Sequence, residues 1–164
     1  MPSIKKILFP VDFSRRCIGA ARYAEALAGR FDAELMLLHI VTNGTETLAE
    51  ELEPARKTQL DSFLTEELQY IKTSRVCLIG DDPAERILGT ACTWQPDLLM
   101  IPTHGLGSYR WLRIGSVAAK VLHDWDGPVW TDVHAEDAPE LEKISVRKIV
   151  CAIALDANSP CVLN

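Results

Sequence analysis

No apolar run in this 164-residue chain approaches the roughly 20 residues needed to cross a bilayer. The opening Met1-Pro2-Ser3-Ile4-Lys5-Lys6 has neither the long apolar region nor the small-residue cleavage site of a secretory leader. Both absences point to the cytoplasm, with no membrane partner. The five cysteines, Cys17, Cys77, Cys92, Cys151 and Cys161, are odd in number and include no close pair, so neither a disulfide framework nor a zinc site is indicated. Positive charge is also scarce: the formal net charge of −6 argues against a nucleic-acid backbone as partner. No lysine follows a glycine loop in the manner of a P-loop, no serine–histidine–aspartate set has a recognisable context, and paired metal ligands are missing. No catalytic residue is nominated.

What is present is an alternation of strand and helix signals, with 48% hydrophobic residues, enough for one sizeable core. Near-continuous apolar runs at Lys6–Val11, Ala33–Val41, Ser74–Ile79, Asp97–Ile101 and Pro128–Val133 read as strands covered on both faces. Between them, Arg15–Arg30 has alanine and leucine at helical spacing behind a Ser14 cap, with Gly29 near its end. Spaced leucines make Thr47–Lys72 an amphipathic helix with an irregular start at Pro54, and Asp82-Pro83, with Glu85 three residues on, opens a further helix. Such alternation with right-handed crossovers predicts an α/β fold with a doubly wound, five-stranded parallel sheet. In that architecture Asp12, Val41 and the segment after Ile101 leave the same carboxyl edge, where ligands bind.

The segment Pro102–Ser116 is the most informative. It joins the strand ending at Ile101 to a helix with Ser116 at its N-cap, and it carries Gly105, Gly107 and Gly115. Helix N-termini present unpaired N–H groups and partial positive charge to whatever lies in front of them. Gly105, Gly115, Ser116 and Val117 are therefore candidate phosphate contacts, with Pro102 and His104 beside them; the competing reading is a tight turn followed by an ordinary helix start. Arg110 and Arg113 are either phosphate ligands or solvated loop residues. Asp12 either accepts from a ribose hydroxyl and holds magnesium, or caps the helix after it. His39, alone in an apolar strand, reads as a hydrogen-bonded core residue.

Gly105, nine residues and then Gly115-Ser116, on a strand–loop–helix late in an α/β domain, resembles the nucleotide loop of the universal stress protein family. The resemblance runs from about residue 4 to 133 and implies an adenine nucleotide alpha hydrolase-like fold with sheet order 3-2-1-4-5. It also implies ATP, with or without magnesium, held by Pro10, Val11, Asp12 and Val41 and by Pro102, His104, Gly105, Gly115, Ser116 and Val117. Val41 corresponds to the position whose backbone addresses the adenine edge. ATP-binding members carry a glycine where this chain has Pro102, whose ring and missing N–H weaken that expectation.

A further reading concerns the C-terminus. Residues 1–134 form the domain, 135–146 an acidic linker, and Arg147–Asp156 echoes Lys5–Asp12, as if residues 147–164 began a second repeat. The resemblance implies a homodimer, or pairing with that second repeat, with Trp125 and Trp130 as interface anchors or as core. The expected function is a regulatory nucleotide-binding module in stress response. The alternatives are a dimerisation scaffold with a vestigial pocket and, third, a slow ATPase.

Overall fold

The computed structural model of the chain describes residues 4–42, 46–102 and 114–132, together with Ile144. The elements are β1 (Lys6–Pro10), α1 (Arg15–Phe31), β2 (Glu34–Val41), α2 (Glu46–Ser62), β3 (Thr73–Ile79), α3 (Pro83–Trp94), β4 (Leu98–Met100), α4 (Ser116–Asp124) and β5 (Val129–Trp130). The strands pair in parallel in the order β3-β2-β1-β4-β5. Each matches an apolar run expected to form a strand: four are trimmed by one to four residues, and β3 starts one residue earlier, at Thr73. The proposed repeat at 147–164, the acidic linker at 135–146 apart from Ile144, and the loop residues His104, Gly105, Arg110 and Arg113 lie outside the described residues.

The sheet divides the apolar interior in two. Side chains alternate across a strand, so Ile7 and Phe9 of β1, with Leu35 and Leu37 of β2, face α1 and α2, whereas Leu8, Met36 and Leu38 face α3 and α4. On the first side α1 contributes Ala20, Ala21, Ala24 and Ala28, small enough for the helix to lie close to the strands. On the second, Ala84, Ile87 and Ala91 of α3 meet Ala118 and Val121 of α4 over Leu99 and Ile101. Each fully buried leucine contributes about 2 kcal/mol of transfer free energy.

Local chemistry sets the helix boundaries. Ser14 caps α1 by accepting from the Cys17 amide at 3.3 Å. Gly29 is inside α1, and Asp32 in a left-handed conformation, φ 50°, ends it. Asp82 Oδ1 caps α3 by accepting from the amides of Ala84 at 3.0 Å and Glu85 at 3.2 Å, with Pro83 in the first turn as expected. Helix α2 departs from expectation: it stops at Ser62 rather than running to Lys72, and Pro54 sits in its interior rather than at its start. The reason is tertiary. Arg75 of β3 reaches back, Nε donating to the Leu60 carbonyl at 3.0 Å and Nη2 to that of Phe63 at 3.1 Å, and Leu64 turns to φ 56°. The guanidinium shares the Leu60 carbonyl with the Phe63 amide, 3.1 Å away, and satisfies that of Phe63 just past the helix end, while Leu64 and Leu68 still reach the core.

Candidate functional site

Strand β1 is central, and its neighbours β2 and β4 lead away from it in opposite directions, which opens a crevice at the carboxyl edge of the sheet. A cavity of about 370 Å³ lies there. Its wall comprises Pro10, Val11 and Asp12 after β1, Ser14 and Cys17 at the start of α1, and Leu38, His39, Ile40 and Thr42 of β2 and its exit. Pro83 and Ile87 of α3, Ile101 and Pro102 after β4, and Gly115, Ser116, Val117 and Ala118 at the start of α4 complete it. Residues far apart in the chain thus share one concavity, with apolar walls and few polar groups, as small-ligand sites have.

The α4 end carries the anion chemistry. Gly115 rather than Ser116 is the N-cap, and it makes no side-chain cap. The Ala119 amide bonds the Gly115 carbonyl at 2.8 Å, so the amides of Ser116, Val117 and Ala118 have no partner within the helix, and all three residues border the cavity. Their N–H groups and the helix dipole suit a negatively charged group.

Asp12 stands at the β1 side. Its Oδ1 accepts from the Ser14 amide at 2.9 Å and from the Cys17 thiol at 2.9 Å, so it braces the entry to α1, while the cap itself is Ser14. Among the described residues Oδ2 receives no hydrogen bond. Partial burial pushes this carboxyl up, but the hydrogen bonds from Cys17 and Ser14 outweigh it, and Asp12 titrates below the usual carboxylate range. It is a carboxylate at neutral pH. Among the described residues no cluster of three or more His, Cys, Asp and Glu side chains could hold a metal ion. A single carboxylate with an open oxygen fits a magnesium ion that keeps its waters and phosphate ligands, rather than a dedicated cage.

His39 is 9% exposed, and its Nδ1 lies 2.8 Å from the Val11 carbonyl. A carbonyl can only accept, so Nδ1 carries the proton. Burial drives the imidazole below its ordinary value, against the pull of the Val11 carbonyl, and the ring is neutral. The Phe13 ring packs on it at 4.4 Å, and Phe13 takes φ 61°, a left-handed conformation that costs a bulky residue about 1–3 kcal/mol. The sequence reading of His39 as a bonded core residue holds, with one addition: the ring also borders the cavity.

Of the residues nominated from sequence, Pro10, Val11, Asp12, Pro102, Gly115, Ser116 and Val117 come together around the cavity. Val41 lies beside that wall: it is buried, its carbonyl accepts from the Gly80 amide at 3.1 Å, and it borders an adjoining hollow of about 210 Å³ with Phe13, Leu52 and Arg56. Its neighbours Ile40 and Thr42, with Asp12 and His39, border both hollows. His104 and Gly105 are outside the described residues. Sequence reasoning passed over Cys17, Ile40, Thr42, Pro83 and Ile87; only Pro83 had a signal, as part of the α3 cap. Trp125 and Trp130 are half-buried against the two cores, Trp130 with its ring 5.1 Å from that of Tyr23.

A doubly wound parallel sheet with a cavity at its switch point defines the architecture as an open α/β domain, and comparison with known proteins narrows the class. The family model described as "Universal stress protein family" matches residues 3–131. A universal stress protein of Thermus aquaticus is 30% identical over 134 residues, covering 76% of this chain and 96% of that protein. Among solved structures, the universal stress protein UspA of Lactobacillus plantarum superposes with a TM-score of 0.68 at 21% identity, over 80% of this chain and 99% of its own. The universal stress protein of Archaeoglobus fulgidus, solved in complex with dAMP, gives 0.59 at 19% identity over 79% and 98%. The chain belongs to the universal stress protein family.

Proposed function

We propose that this chain is a regulatory module that binds an adenine nucleotide in the crevice at the carboxyl edge of its sheet. The observation that carries this reading is the convergence of the Asp12 carboxylate, the Ile40 and Thr42 wall and three α4 amides that have no partner within the helix on one cavity of about 370 Å³. In this reading the α4 amides take a phosphate, Asp12 accepts from the ribose hydroxyls, and the base lies along Ile40 and Thr42. The Archaeoglobus relative, solved with dAMP, supports the ligand class. ATP with magnesium at Asp12 is the finer form of the same proposal. The assembly that accompanies it is pairing of the β5 edge with a second copy or with residues 147–155. Residues 147–164 then begin a second repeat.

Pro102 decides how tightly the site works. Its ring forms part of the wall and its nitrogen cannot donate, so a backbone hydrogen bond worth ~1 kcal/mol is lost to any ligand placed beside it, roughly a fivefold weakening. Calorimetric titration with AMP and with ATP, with and without magnesium, on the natural protein and on Pro102→Gly tests the reading. Micromolar binding by both, tighter in the glycine variant, is the expected result. Silence from both would leave a scaffold domain as the better account.

A further inference from the structure

Cys17 is the one wall residue of the cavity whose side chain holds Asp12. Its thiol is 4% exposed, donates to Asp12 Oδ1 at 2.9 Å, and its sulfur lies 3.4 Å from the Asp12 amide. With the Ser14 amide also on Oδ1 at 2.9 Å, one carboxylate oxygen is committed to the protein from two directions. Rotation of the carboxylate would break both bonds, so the free oxygen keeps one orientation. Burial and the neighbouring Asp12 charge push the thiol up to about 12. At neutral pH it is an S–H donor, and a protonated buried sulfur is neither a nucleophile nor easily oxidised.

We propose that Cys17 is a positioning residue, whose S–H locks the Asp12 carboxylate so that Oδ2 stays available to the hydroxyl groups of a ribose-bearing ligand. This rests on the reading that Asp12 accepts from those hydroxyls. It assigns the cavity thiol a geometric duty.

The test uses the full chain as the natural protein, Cys17→Ala, Cys17→Ser and Asp12→Asn. Two quantities are read: calorimetric affinity for AMP against 2′,3′-dideoxy-AMP, and, without ligand, the titration of the Asp12 carboxyl by carbon-13 NMR. His39, on which the Asp12 charge acts, and Arg56, which acts on His39 and borders the same adjoining hollow, are present throughout. Loss of one hydrogen bond to a charged group predicts that Cys17→Ala loses about fivefold or more for AMP and little for the dideoxy ligand, with the Asp12 titration moved upward. Cys17→Ser, which restores a donor, recovers both. If Cys17→Ala keeps the natural ratio and the natural Asp12 titration, the inference falls while the ribose reading stands. If the natural protein does not distinguish the two ligands, the ribose reading falls and takes the inference with it. Rapid labelling of Cys17 by iodoacetamide in the folded protein at pH 7 would also overturn it.

Discussion

Replacing His39 by leucine separates two effects that the fold combines in one ring. At pH 7.5 the neutral imidazole donates from Nδ1 to the Val11 carbonyl at 2.8 Å, and the ring lies against Phe13 at 4.4 Å. Leucine keeps the apolar volume but leaves that carbonyl without its donor, a penalty of about 1–3 kcal/mol for a buried acceptor. With about 2 kcal/mol lost, Tm falls by roughly 6–10 °C for a domain of this size. The pH dependence moves the other way. The folded-state value of His39 lies below its ordinary 6.5, so the unfolded chain binds the proton more readily. The associated stability is complete above 6.5 and is lost as pH falls toward the folded value. Asp12, shifted below its ordinary 3.8, adds its own loss only at lower pH. Urea denaturation at pH 7.5 and pH 5 should therefore find His39→Leu less stable than the natural protein at the first pH, with the gap narrowed at the second. An unchanged gap would refute the claim that this imidazole is held neutral.

Two further outcomes follow from the packing. Leu99→Ala, at a fully buried position in the cluster between the sheet and α3–α4, should cost about 3 kcal/mol in denaturant unfolding; a loss under 1 kcal/mol would mean that the site collapses around the smaller side chain. Arg75→Met should remove both donors from the Leu60 and Phe63 carbonyls, lowering stability by about 1–2 kcal/mol and speeding amide exchange across residues 63–71; unchanged exchange there would show that the left-handed turn at Leu64 ends α2 unaided.

The strands were legible because a parallel sheet covered on both faces demands continuous apolar runs, and the Asp82-Pro83 start of α3 was legible because capping is local. The errors fall where the answer is set from a distance. Nothing near Ser62 announces the end of α2, since the group that terminates it belongs to Arg75 in the next strand. On β2 the same feature that made the strand easy to see hides its facing: Leu37, Leu38, Ile40 and Val41 are all apolar, so no alternation marks which side opens on the crevice. The pairing of Val41 with Ile79, and of its carbonyl with Gly80, settles that register. At α4 the sequence pointed to Ser116 as the N-cap; the backbone gives that place to Gly115, with the serine inside the first turn.

The central position of β1 has a dynamic corollary. Among the described residues β5 is held by two register pairs, Leu99↔Val129 and Met100↔Trp130, so unless its outer edge is paired its amides should exchange by shallow local opening. The cavity floor at Pro10 and Val11 hangs from β1, which is bonded to β2 and β4 and has no edge of its own. Exposing that floor to solvent exchange requires nearly global unfolding. The crevice thus sits on the last part of the molecule to open, and fraying at the β5 edge leaves its shape intact.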